Sequence, residues 1–95
     1  MGACLNTIQR CVLTVKNKTG LHALPAAAIV GLTNKYTDCE VTAEKDGEIV
    51  NAKSIMGIMM LEAGQNAQVT FEVSGPSAAT LIAGIRSLFE HNFEG

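Results

Sequence analysis

Val69, Phe71 and Val73 alternate with Thr70, Glu72 and Ser74, and Ala78, Leu81, Ile82, Ile85 and Phe89 follow at helical spacing. The first pattern belongs to a strand with one buried face, the second to a helix with one buried stripe. Neither element can cover its apolar side alone. The chain is therefore confined to a sheet that carries helices on one side and leaves its other side to water. "SGP" ends the strand, and Pro76 is expected within the first helical turn, where a missing N–H costs nothing.

The remaining elements fit the same frame. In "CVLTVK", Cys11, Leu13 and Val15 alternate with Val12, Thr14 and Lys16, which predicts a strand over Cys11–Lys16 that "NKTG" then breaks. Ala26, Ile29, Val30 and Thr33 recur at i, i+3, i+4 and i+7, so a helix follows His22. Its outer face is Ala27, Ala28, Gly31 and Asn34, small and uncharged. "CEVTAE" and "EIVNAK" flank Asp46-Gly47, a hairpin signal, because Gly takes the positive φ of the turn. "KSIMGIMML" reads as about two helical turns capped by Ser54 and weakened by Gly57. The order is β-α-β-β-α-β-α, an α+β domain with three helices on one face of a four-stranded antiparallel sheet.

The 95 residues, 47% apolar and 17% charged, make one core's worth of chain. Residues 1–10 read as an N-terminal extension and 11–95 as the domain. The seven Lys and Arg are scattered in a chain of net charge −2, which leaves no basic stripe for nucleic acid. No apolar run nears the roughly 18 residues of a bilayer span, and "MGACLNTIQR" lacks a signal peptide's apolar stretch. A cytoplasmic location without membrane insertion is expected. Asn6 stands where myristoylation at Gly2 wants Ser or Thr. Cys4, Cys11 and Cys39 form neither a CxxC pair nor a zinc spacing, so neither disulfide nor metal is expected.

The chemistry lies in "TGLHALPAAAIV". Gly20 lets the chain turn, His22 falls at the helix N-cap or just before the first turn, and Pro25 sits within that turn. A helix N-terminus offers orphan N–H donors and partial positive charge, a setting for an anion. The same charge disfavours imidazolium and keeps a ring nitrogen free as a nucleophile. No second His, Asp or Cys completes a triad or metal set around His22, so phosphate transfer through the ring fits better than hydrolysis.

"NKTGLHALPAAAIV" together with "VNAKSIMGIMML" resembles HPr, the histidine-containing phosphocarrier family of the bacterial sugar phosphotransferase system. The similarity runs from Cys11 to Phe93 in the same element order. It implies a βαββαβα open-faced sandwich that takes phosphate from phosphorylated enzyme I onto Nδ1 of His22 and passes it to an enzyme IIA. Phosphoenolpyruvate is then the ultimate donor. The protein is a relay substrate more than an enzyme with turnover, needs no cofactor and is expected to be a monomer. Thr19, Ala23 and position 24 would support the phosphate. Ser54 matches the serine that a dedicated kinase and phosphorylase modify in some branches, and Ile55, Met56, Met59 and Ala27 match the docking surface.

Leu24 departs from the family, which has Arg two residues after the histidine. A permanently charged bidentate donor is thereby lost. The adjoining helix face offers Gly31 and Asn34 where some members carry lysines, which weakens steering towards a usual enzyme I. A second reading follows: a regulatory paralogue that binds a transcription regulator, kinase or transporter component according to phosphorylation. A small-ligand module explains the fold but neither motif.

Each residue also has a plainer reading. His22 alone is an N-cap histidine, Ser54 a helix cap, Thr19 and Asn17 loop formers, and His91 a surface residue near a helix C-terminus. The stripe Ile55, Met56, Ile58, Met59 and Met60 is partly core, yet five apolar residues in six exceed one buried face, so some are expected in solvent.

Overall fold

The computed structural model describes residues 7–93; Cys4, the Gly2 motif and the rest of the first six residues lie outside them. Strands β1 (Thr7–Thr14), β2 (Glu40–Lys45), β3 (Glu48–Asn51) and β4 (Gln68–Gly75) alternate with helices α1 (Ala23–Thr33), α2 (Ile55–Met60) and α3 (Ala78–Glu90) in the expected order. The sheet order is β1-β4-β2-β3 and every pairing is antiparallel.

Registers explain which face meets the helices. Cys11 lies opposite Phe71, and Phe71 opposite Ala43, so Leu13, Val69, Val73, Val41 and Val50 share that side. Val15, Val69, Phe71 and Val73 are fully buried with Ile29, Ile58, Leu81 and Ile85 from the three helices. Phe71 meets Phe89 of α3 edge to face, with ring centroids 5.6 Å apart. Such burial contributes roughly 1.5–3 kcal/mol per large side chain, and it is the main force setting helices on sheet. The opposite face bears Arg10, Glu72 and Thr42 in one row, with Ile8, Val12 and Ile49 exposed around them.

Two boundaries differ from the sequence expectation. The first strand is not Cys11–Lys16 but Thr7–Thr14, so residues 7–10 pair with β4, Thr7 lying opposite Gly75. In that stretch polar Gln9 faces the helices and Ile8 faces water, the reverse of the usual alternation. Pro76 stands before α3, whose N-cap is Ser77. The hairpin turn is as expected: Asp46 and Gly47 have φ of 52° and 87°, positive at both central positions as a type I′ turn demands.

The helix layer sets the candidate site. Thr33 Oγ1 donates to the Ala52 carbonyl at 2.9 Å and Asn34 Nδ2 to the Lys53 carbonyl at 3.1 Å. These bonds fasten the C-terminal end of α1 to the start of α2. At the other end, the Leu21 N–H, just before α1, donates to the Ala63 carbonyl, just after α2, at 2.9 Å. Helix α2 thus runs back along α1 from Ser54 to Glu62.

Candidate phosphoryl-acceptor site

Gly20 creates the approach that places His22. Its φ is +71°, and a Cβ there would collide with the carbonyl oxygen of Ala63. Asn17 supports the same turn by donating from Nδ2 to the Gly20 carbonyl at 2.7 Å and to Thr19 Oγ1 at 3.4 Å. Asn17 Oδ1 is buried with no partner among the described residues.

His22 is the N-cap of α1 and is exposed; its ring makes no capping bond. The first intrahelical bond runs from the Ala26 N–H to the His22 carbonyl at 2.9 Å. That leaves the N–H groups of Ala23 and Leu24 without acceptors among the described residues, while Pro25 has none to leave. Two donors and the partial positive end of an 11-residue helix therefore lie beside an unengaged imidazole. An imidazole lone pair can attack an electrophilic phosphorus there, and the product anion has N–H groups to receive it.

His22 shares a cleft of about 280 Å³ with Thr19, Met59 and Glu62. Among the residues lining it, Glu62 carries the carboxylate. Periodicity gave no sign of Glu62, because it follows the last turn of α2 and enters the cleft through the long-range bond between Leu21 and Ala63. The left-handed backbone it adopts, φ 52°, is a position usually taken by Gly.

Ser54 lies outside this cleft, at the far end of α1, roughly 16 Å of helix away by rise per residue. It is the N-cap of α2, and its Oγ accepts from the Gly57 N–H at 3.0 Å. The neighbouring ammonium of Lys53 is turned inward, donating to the Tyr36 carbonyl at 3.0 Å and the Cys39 carbonyl at 2.6 Å.

Between the two ends, α2 buries only Ile58 and exposes Ile55, Met56, Met59 and Met60. Leu24 is 76% exposed, and Ala27 is exposed on the same helix. The stripe expected to divide between core and solvent thus gives most of its members to solvent. An apolar surface rims the histidine, and no guanidinium comes from position 24. His91 caps the other end of α3, where Nδ1 lies 2.9 Å from the Ser87 carbonyl, away from the site. Cys11 and Cys39 are free, and no cluster of metal-ligating side chains occurs among the described residues.

The family model described as the PTS HPr component phosphorylation site matches residues 9–91. The chain is 38% identical over 82 residues to the phosphocarrier protein HPr of Chlamydia trachomatis, covering 86% of this chain and 74% of the relative. It is 51% identical over 61 residues to the HPr-like protein Crh of Halalkalibacterium halodurans, covering 64% and 71% of the two chains. The crystal structure of HPr-C-His from Thermoanaerobacter tengcongensis superposes with a TM-score of 0.85 at 40% identity, covering 90% of this chain and 94% of that one. Agreement over so much of the chain, in sequence and in fold alike, makes it a member of the HPr family, the phosphocarrier component of the phosphotransferase system.

Proposed function

We propose that His22 is the phosphoryl acceptor of this phosphocarrier, loaded by phosphorylated enzyme I and discharged to an enzyme IIA. The observation that carries the reading is the exposed, unengaged ring at the N-cap of α1, beside the free N–H groups of Ala23 and Leu24. In the acceptance step the Nδ1 lone pair forms the N–P bond while the bond from phosphorus to the donor breaks. That bond's electron pair leaves with the donor, and His22 keeps its proton on Nε2. Thr19 shapes the cleft wall, and Ile55, Met56, Met59 and Ala27 supply apolar docking contact. On this reading the chain works in the cytoplasm as a monomer; no helix among the described residues is long and apolar enough to cross a membrane.

Ser54 is the regulatory site of the same surface, open to a serine kinase and phosphorylase. A phosphate there adds about −1.5 to −2 charges at a helix start, which the helix tolerates and an apolar docking face does not. A second reading, a regulatory paralogue with weakened relay that binds a transcription regulator, is favoured by exposed Leu24 in place of a cation. The similarity to an HPr-like protein named Crh is consistent with it. One experiment separates the two. The chain is incubated with phosphoenolpyruvate and catalytic enzyme I, and its mass and phosphate stability are followed. An acid-labile, alkali-stable phosphate on His22 supports relay; none under conditions that load a conventional HPr supports the regulator.

A further inference from the structure

We propose that Glu62 raises the phosphoryl-transfer potential of His22, making the phosphorylated ring a readier donor by placing a carboxylate against its phosphate. The inference rests on His22 being the acceptor. The Leu21–Ala63 hydrogen bond joins the two segments, and His22 and Glu62 are the next residues outward from it, one after Leu21 and one before Ala63. Both line the same cleft, and no cationic side chain among the described residues lines it with them. Leu24, exposed beside the histidine, supplies no counter-charge either.

The backbone reinforces the point. Glu62 occupies the position just past the C-cap of α2, with φ 52° and its N–H bonded to the Met59 carbonyl at 3.1 Å. Gly fits that left-handed position without strain, and Asn or Asp is better suited to it than Glu. A carboxylate has thus been set at a place that backbone preference alone would not give it. Before phosphorylation no second acidic side chain among the described residues lines the cleft with it. Afterwards it faces about two negative charges, so its effect falls on the phosphorylated state alone. The N–H groups of Ala23 and Leu24 hold the phosphate in place while Glu62 raises its free energy, which favours onward transfer over retention.

An equilibrium competition tests this. Wild type and 15N-labelled Glu62→Gln are mixed with catalytic enzyme I and limiting phosphoenolpyruvate, and intact mass gives the phosphorylated fraction of each. Because enzyme I only catalyses the exchange, differences in docking cancel at equilibrium. The expected ratio of equilibrium constants, Glu62→Gln over wild type, is about 3 to 10 at low salt, falling below about 2 near 1 M salt. Glu62→Asp, which keeps the charge, should stay within about twofold of wild type. Equal phosphorylation of wild type and Glu62→Gln at low salt overturns the proposal, as does a matching shift in Glu62→Asp, which would indicate packing instead of charge. If neither wild type nor Glu62→Gln takes phosphate at His22, the acceptor reading itself fails and the role of Glu62 falls with it.

Discussion

The Gly57 N–H donates to Ser54 Oγ at 3.0 Å, so the hydroxyl that would carry a regulatory phosphate also closes the first turn of a six-residue helix. Both uses draw on one atom, and two substitutions separate them. Ser54→Ala removes the cap and should cost about 1 kcal/mol, read as a lower denaturation midpoint. Ser54→Asp keeps a capping acceptor and should leave stability nearly unchanged. Next to exposed Ile55 and Met56 its charge should weaken binding to enzyme I by roughly 3- to 10-fold at low salt, measured by calorimetric titration. Equal affinities for wild type and Ser54→Asp would remove this surface from the docking face.

His22→Ala should abolish phosphate acceptance with little effect on the fold. The ring is exposed and caps nothing, so the stability change should stay within about 0.5 kcal/mol. Intact mass after incubation with enzyme I and phosphoenolpyruvate reads the first effect, thermal melting the second. A full phosphate adduct on the variant would place the acceptor elsewhere.

Glu62→Gly should stabilise the protein. A left-handed conformation costs a non-glycine residue about 1–2 kcal/mol, while the added freedom of Gly in the unfolded chain returns about 0.4–1 kcal/mol of that. A net gain of about 0.5–1 kcal/mol corresponds to a rise in Tm of roughly 2–8 °C for a domain of this size. A lower Tm would mean that the side chain holds the cleft together.

These positions also mark where the sequence was readable. Val69, Phe71 and Val73, like Leu81, Ile82, Ile85 and Phe89, declare their elements because each pattern has one dominant period and the residues it selects are buried. The start of β1 was hidden because Gln9 turns inward and Ile8 outward, so alternation there carries the wrong phase. At the site, His22, Pro25 and Ser54 were legible from local helix-start chemistry. Glu62 was not, since only the tertiary bond between Leu21 and Ala63 brings it to the histidine. Nor does local sequence reveal that the Lys53 ammonium is spent on two carbonyls instead of facing Ser54.

Cys39 gives stability a downward slope at alkaline pH. Burial pushes its thiol up from the ordinary value and the Asp38 carboxylate adds to this; a backbone hydrogen bond from Ser77 and the charge of Lys53 oppose it. In the unfolded chain the thiol ionises near pH 8.5 or slightly above. Above that pH the unfolded state has released a proton that the folded state keeps, so stability falls as pH rises towards the folded value. Denaturation midpoints from pH 7.5 to 10 should drop less steeply in Cys39→Ala than in wild type. Peptide mapping after brief alkylation should find half-buried Cys11 labelled well before Cys39. Parallel pH profiles for the two proteins would show that the thiol ionises alike in the folded and the unfolded state, and so is not held neutral by burial.

Leu24→Arg tests whether the apolar rim is an adaptation or a loss. Leu24 is the second residue of α1 and is largely exposed, so a guanidinium fits there without repacking; the partial positive helix end disfavours it only slightly. Near a phosphate on His22 it could donate two parallel hydrogen bonds. A hydrogen bond to a charged group contributes about 1.5–3 kcal/mol, equivalent to roughly 10- to 150-fold in rate if wholly realised in the transition state, and solvent screening reduces this considerably. With a conventional enzyme I the expected gain is therefore several-fold at low salt, shrinking as salt rises. The cognate enzyme I gives the opposite result if its docking face is apolar. An arginine would then be desolvated without a partner against the surface that now meets Leu24, Met56 and Met59, and transfer should slow. Single-turnover transfer rates with both donors distinguish the cases. Faster transfer with the conventional donor and slower transfer with the cognate one identifies Leu24 as a specificity residue. A gain with both shows only that a phosphate contact is missing, and no change with either removes position 24 from chemistry and recognition alike.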